Sequence, residues 1–398
     1  MARDLRLFYL FRLLATSYLW VPISFLLMSA RGLSFLEVML LAVIYSAVVI
    51  LVEIPTGVFA DRIGRRRSMM LGTLAMVASC LIADQAGSFG EFAVAEALAA
   101  TSISLCSGAD SAYLFDLLRE NGRMDEYGHR ESTASAWHLA GSAVACAAGG
   151  ALGEVDLALP YLVTAAVSLG AFTVVCAMRD DRPDHVPDRM PTFEVMRAWR
   201  AHMRDAIRSV RTNNRLAWLI GYSAVVFVLL RATVYLYQPF LKGQGFSPGE
   251  TGLTYAGVYL LASVVALRGP RLRARLGDEN LLWTLLGVLA VSFVLLAEVR
   301  GAWVLALLAV QALANGVYSP LVKPLLNREI VDSRLRATVL SVESIVRRSA
   351  MGVFAPIAGI YGANSAMYLC AAIGLVGLAT LAVFAMRGPT WRGVPGVD

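Results

Sequence analysis

Apolar residues in this chain gather into long runs, and short polar stretches separate them. The hydrocarbon core of a bilayer takes about 20 apolar residues per crossing helix. Twelve runs reach that length, at roughly 5–29, 34–60, 68–86, 90–117, 130–153, 157–178, 216–241, 249–267, 280–298, 302–326, 337–360 and 364–386. In lipid only helices and closed barrels satisfy every backbone amide and carbonyl, and runs this long are helical. The pattern therefore predicts an all-α membrane protein with 12 transmembrane helices. The first run is longer than the apolar core of a leader peptide and continues into further spans, so it reads as the first crossing.

The polar stretches set the expected topology. With the amino terminus inside and the crossings alternating, inner stretches hold 27 of the 35 Lys and Arg residues, and outer loops hold only Arg31, Lys242 and Arg300. Positive charge collects on the cytoplasmic side, so both termini are expected in the cytoplasm, with the chain in the cell membrane. The longest inner stretch, 179–215, opens on a charged, Pro-containing segment. It continues as a basic amphipathic helix in which Phe193, Met196, Trp199, Met203, Ile207 and Val210 recur at helical spacing with arginines between. Such a face is expected to rest on anionic membrane lipid.

This linker divides the chain into a bundle over 1–178 and a second over 216–398, each of six helices. Matching features recur in the same order: Tyr18 and Pro22 against Tyr235 and Pro239, Ala145–Gly149 against Ala355–Gly359, and Gly57–Arg67 against Arg268–Asp278. Two pseudo-symmetric six-helix bundles around a central cavity form a transporter architecture.

Composition narrows the class further. Of 398 residues, 58% are hydrophobic and 16% charged, against about 25% charged in soluble domains. That excludes a disordered chain, a collagen, a disulfide-stapled secreted module and an ordinary soluble enzyme. The net charge of +6 is spread between spans rather than gathered in a patch, so no nucleic-acid partner is expected. The five cysteines lie inside apolar runs and form no CxxC pair, so neither a disulfide framework nor a metal site is expected. GxxxxGK[ST], HExxH and GxSxG are absent from the sequence, and no catalytic constellation or cofactor is expected.

Between the second and third runs the chain reads Gly57-Val-Phe-Ala-Asp61-Arg62-Ile-Gly64-Arg65-Arg66-Arg67. This resembles the loop signature G-x-x-x-D-[RK]-x-G-[RK]-[RK] of the major facilitator superfamily, and with the 6+6 arrangement the resemblance covers the whole chain. It implies a secondary transporter working by alternating access. It also implies a gating latch, with Asp61 facing the positive end of the eleventh span and Arg65 paired with an acid at the inner end of the fourth, where Asp116 fits. The same arginines would also serve simply to set topology. In the second half Ala274 occupies the Asp position and Asp278-Glu279 replace the basic pair, so an asymmetric latch is expected. Two family signatures are missing. Ser104, not Arg, stands four residues before Gly108, and Ala145-Cys146 stand where drug antiporters carry Gly-Pro.

Ionisable groups inside spans are costly unless paired or wetted, which makes each a candidate for substrate or proton coupling. Arg12 and Glu53 share a depth, consistent with a simple pair. Asp110 and His138 sit at similar depth on the fourth and fifth spans, as a proton relay or as a structural pair. The seventh span offers Arg231, Tyr235 and Gln238, the tenth offers Asn315, and the eleventh offers Glu343, Arg347 and Arg348. Arg347 follows Glu343 by four residues and can pair with it along the helix. A cationic and aromatic lining favours an anionic or zwitterionic organic substrate. The expected function is proton-coupled efflux of a small organic molecule by a monomer. Ion-coupled uptake and a transport-inactive receptor or scaffold are the alternatives.

Overall fold

The computed structural model describes residues 1–179, 203–301, 303–330 and 335–387, and their side chains except at 53–59, 61, 62, 270, 337 and 384–387. Most of the expected linker, 180–202, lies outside these residues. Among the described residues the regular elements are all helical. They are α1 (Ala2–Leu14), α2 (Ser24–Ala30), α3 (Phe35–Ile63), α4 (Arg65–Gln85), α5 (Phe89–Cys106), α6 (Ala109–Glu120), α7 (Tyr127–Gly153) and α8 (Leu159–Ala177). After α9 (203–212) come α10 (Asn214–Gly243), α11 (Pro248–Leu276), α12 (Asp278–Glu298), α13 (Trp303–Glu329) and α14 (Arg336–Arg387).

Nine segments of the described residues are long and apolar enough to cross a membrane. The last of them, Thr338–Val383, has the length of two crossings and bends at Gly362 (φ +82°). The two remaining crossings are α1–α2, whose helix is interrupted over 15–23, and α7, whose hydropathy is lowered by Glu131, Ser132, Thr133 and His138. Among the described residues twelve crossings therefore follow once the interruptions are read through.

Three helices start with the same device. Ser34, Ser88 and Ser247 each accept from the backbone amide three residues on, at 3.3, 3.4 and 3.2 Å. Glu37, Glu91 and Glu250 each accept the backbone amide of their own serine in return, at 2.8, 3.0 and 2.9 Å. Two orphan donors are satisfied at each end, which matters most where the helix enters lipid. Ser34 and Ser247 open the second and eighth crossings, so the box is a further repeat between the halves that an S-x-x-E search would have found.

Contacts divide the chain into two units. The first comprises Met1–Met190, Tyr237–Leu260 and Ala355–Ile360, and the second comprises Pro191–Leu236, Leu261–Phe354 and Tyr361–Asp398. Within the first, one apolar cluster gathers Ile23, Phe25, Met76, Phe92 and Tyr161, with Trp20 stacked on Tyr161 at 5.8 Å. Another gathers Phe8, Phe11, Met69, Tyr113 and Leu114. In the second unit, α12 buries Leu282, Leu286, Leu289 and Phe293, while Gln311 of α13 donates to Ser292 of α12 at 2.8 Å.

Candidate functional site

Two crossings of the first unit are broken, and an ion pair joins the breaks. After Arg12, in the last turn of α1, the chain leaves the helix. Thr16 and Ser17 hydroxyls bond back to the carbonyls of Arg12 and Leu13, both at 2.6 Å, and Pro22 follows. The fourth crossing breaks at Ser107-Gly108, where Gly108 takes φ +83°, a backbone region that favours glycine. Asp110 then stands in the first turn of α6, and its Oδ1 accepts the Ser111 amide at 2.7 Å. Arg12 Nη1 pairs directly with Asp110 Oδ2. Each charge sits at the helix end whose dipole favours it. Both side chains are largely buried, at 15% and 12% exposure.

This pairing departs from the sequence expectation. Asp110 meets Arg12 rather than His138, because the two helix breaks bring those ends together. His138 Nδ1 is buried without a hydrogen-bond partner among the described residues. The side chain of Glu53, the expected partner of Arg12, lies outside the described residues.

The loop signature forms a tight turn. Gly64 (φ +94°, ψ 144°) ends α3 and starts α4, and Gly277 (φ +78°, ψ 155°) does the same between α11 and α12. Side chains can rarely hold such φ values, so both halves keep glycine there. Arg65 Nε lies 3.1 Å from Asp116 Oδ2, and Arg119 reaches the same carboxylate at 3.2 Å. Arg66 Nε donates to the Val175 carbonyl at 3.0 Å and its Nη2 to Cys176, capping the C-terminal end of α8. The side chains of Asp61 and Arg62 lie outside the described residues, as does any contact of Gly57.

The second half carries this anchor with its charges exchanged. Where the first half has Arg65 and Asp116, the second has Asp278 and Arg328, 3.8 Å apart. Asp278 also accepts two bonds from Arg273, at 2.7 and 3.0 Å. The sequence reading saw only that the basic pair was gone, because an inverted ion pair does not match a pattern of residue types.

In the second unit a polar network ties three helices. Glu343 of α14 is buried, and Ser223 of α10 donates to its Oε1. Arg347 Nε lies 2.8 Å from the same oxygen. Tyr318 of α13 hydrogen-bonds the Ser223 hydroxyl at 2.8 Å and accepts from Arg347 Nη1 at 3.5 Å. The Arg347 guanidinium lies over the Phe227 ring at 4.9 Å. Arg348 is half-buried beside it. One to two turns along α10, Arg231 contacts Tyr235 through its hydroxyl at 3.4 Å and lies 5.5 Å from its ring. Asn315 is exposed on α13.

Gln238 belongs to the first unit and is 1% exposed. Its Oε1 accepts the Phe25 amide at 2.8 Å, and its Nε2 donates to the Val21 carbonyl at 2.9 Å and the Ser24 hydroxyl at 3.2 Å. The amide thus completes the backbone of the interrupted first crossing. Gln238→Leu leaves these buried groups unsatisfied, at about 1–3 kcal/mol each. The melting temperature should fall, and the Phe25 amide should exchange hydrogen faster. An unchanged exchange rate over 21–25 would refute this role.

The comparisons with known proteins agree with this architecture. The sequence pattern of the Major Facilitator Superfamily matches residues 6–356. The structure is similar to that of the nucleoside transporter NupG, with a TM-score of 0.78 at 13% identity, covering 98% of this chain and 99% of that one. A variant of the peptide transporter POT in complex with alafosfalin aligns with a TM-score of 0.75 at 14% identity, covering 96% of this chain and 94% of that one. No curated protein matches in sequence. The chain belongs to the Major Facilitator Superfamily and is a multi-pass membrane protein of secondary transport, not an enzyme.

Proposed function

We propose that this chain is a proton-coupled carrier that moves a small organic anion or zwitterion through the cell membrane by alternating access, with proton and substrate travelling the same way. The observation that carries the reading is the buried pair Arg12–Asp110 at two broken crossings. Interrupted helices at membrane depth present helix ends to a cavity, and such ends hold ions and substrates. A proton on Asp110 cancels its charge and leaves Arg12 in need of another anion. Proton and anion then favour each other's binding, which is the linkage of a symporter. The efflux expected from the sequence requires proton and substrate to compete, and a pair that surrenders an arginine on protonation works against that. Asp61, Arg65 and Asp116 serve in this reading as the latch of the switch. The bias of basic residues supports cytoplasmic termini, and one chain acts alone.

Membrane vesicles under an imposed pH gradient test the direction, with a panel of radiolabelled organic anions as probes. The expected result is accumulation in vesicles with an alkaline lumen, lost in Asp110→Asn. Accumulation only in inverted vesicles with an acidic lumen would restore efflux. Flux indifferent to pH and to Asp110 would remove proton coupling.

A further inference from the structure

We propose that Glu131 is the receptor for a positively charged amino group of the transported molecule. The molecule is then a small zwitterion, with its ammonium close to its carboxylate, and not a simple anion. The proposal rests on the transport reading above, in which Arg12 takes the negative end, and adds to it the group that takes the positive end.

Glu131 stands in the second turn of α7, half-buried in the first unit. Ser111 joins it to the coupling pair. The Ser111 amide donates to Asp110 Oδ1 at 2.7 Å, and the Ser111 hydroxyl donates to Glu131 Oε1 at 2.9 Å. The two carboxylates are thus held by one residue and lie close together. Glu131 also acts electrostatically on the Arg12 guanidinium. Yet its second oxygen, Oε2, is buried with no hydrogen-bond partner among the described residues. Arg12 Nε and His138 Nδ1 are buried in the same condition, and His138 too is within electrostatic reach of Arg12. Buried polar atoms in a native protein are rarely left unsatisfied, and a water, an ion or a ligand is the usual answer.

The charges choose among these. Facing Glu131 are Arg12 from α1, Asp110 and Ser111 from α6, and Tyr127 from its own helix, with His138 two turns further along α7. Arg12 is engaged by Asp110. Once Asp110 holds its proton, one positive and one negative charge remain side by side, Arg12 and Glu131. A zwitterion answers both. A simple anion answers Arg12 and leaves Glu131 without a counter-charge, which is costly in a buried place. Because Ser111 keeps the two carboxylates close, the two charges of the ligand must also be close, as in an α-amino acid.

A polar stripe leads along the same face. Glu131, Ser135, His138 and Ser142 recur at spacings of four and three on α7. The Ser142 hydroxyl reaches the Thr16 carbonyl at 3.4 Å, in the broken first crossing. Inside a span such a stripe belongs against protein or water, not lipid. In the transport cycle each zwitterion enters with one proton on Asp110, and no covalent bond changes. Each turnover therefore carries one positive charge, where a simple anion with one proton would carry none.

The test uses the purified full chain in detergent and matched probes. Alanine, leucine and phenylalanine are the zwitterions. Propionate, isocaproate and hydrocinnamate are the same acids without the amino group; ethylamine, isoamylamine and phenethylamine lack the carboxylate. A ligand that prefers the native state raises the melting temperature. At least one amino acid should raise it at a concentration about tenfold below that needed by its matched acid or amine. Glu131→Gln keeps an acceptor for Ser111 and removes the charge, and should bind the amino acid no better than the matched acid. Glu131→Asp keeps the charge on a shorter arm. It should weaken the amino acid about tenfold and leave the acid unchanged, and it decides the matter if the glutamine variant does not fold. No shift from any amino acid, equal binding of amino acid and matched acid by the unmodified chain, or unchanged affinities in the Glu131 variants would overturn the proposal. A shift from sodium chloride over choline chloride, lost in Glu131→Gln, would give the free oxygen to a metal cation and overturn it as well. Binding needs no gradient. Glu131-dependent binding without vesicle accumulation would overturn the transport reading and leave this site standing, and proton-driven accumulation of the simple acids alone would do the reverse.

Discussion

Arg12→Ala lowers the stability of the folded chain by about 3–5 kcal/mol, because it leaves the buried carboxylate of Asp110 without its counter-charge. The double variant Arg12→Ala/Asp110→Ala recovers most of that loss, since it removes both charges together. Thermal melts of the purified single and double variants measure the effect. Flux behaves differently: the double variant should insert and fold but show no response to a pH gradient. This split between restored folding and absent coupling separates a working pair from a merely structural one. Equal melting temperatures for the single and double variants would mean that the unpaired carboxylate of Asp110 carries no penalty. Proton-driven flux in the double variant would move the coupling group elsewhere.

Gly150→Leu is expected to have the second largest effect. Within the first unit, α7 crosses the start of α11 so closely that a Cβ at Gly150 would stand 2.6 Å from both the Gly252 Cα and the Pro248 carbonyl oxygen. One residue earlier, a Cβ at Gly149 would meet the Leu19 carbonyl oxygen in the interruption of the first crossing. These obstacles are backbone, so no rotamer change relieves them, and small residues are what allow helices to approach so far in lipid. Overpacking costs typically about 1–3 kcal/mol, and here the neighbours cannot shift separately. Glu154, just beyond, accepts the Gly249 amide at 2.7 Å, and hydrogen bonds from Ser247 and Gly249 hold its carboxyl below the usual range. Cys146, one turn before Gly150, is a built-in reporter at 2% exposure. In the unmodified chain it should resist maleimide; in Gly150→Leu it should react as α7 and α11 part, with the site of labelling read by mass spectrometry. Continued protection of Cys146 with an unchanged melting temperature would show that the crossing tolerates the side chain.

The long apolar runs, their number and the loop from Gly57 to Arg67 were legible because each is a local property. Hydropathy needs only neighbouring residues, and lipid leaves the helix as the one solution for a run of that length. Arg65–Asp116 was legible through the resemblance, and Glu343–Arg347 through helical spacing. The capping serines are equally local, each one the start of a Ser-x-x-Glu spacing at the head of a helix.

Other features were not local. The interruption over 15–23 lies inside an apolar run that looks continuous, and it is completed by Thr164, whose hydroxyl oxygen accepts the Leu19 amide at 3.1 Å, and by Gln238 from a distant helix. Gln238 looked like a group for substrate, and its burial against Val21, Ser24 and Phe25 came only with the fold. Asp110 looked like a partner of His138, at a similar depth on the next span. Depth is one coordinate, and the choice of Arg12 over His138 depends on how the two broken helices are rotated and which ends face each other. The sequence by itself determined the solvent this chain lives in, its helices and the turn that links them, because those follow from short-range hydrophobicity and backbone sterics. Only the tertiary structure decided that Arg12 neutralises Asp110 and that Arg328 meets Asp278, because in a low-dielectric interior such a pairing is settled by contacts between residues far apart in sequence.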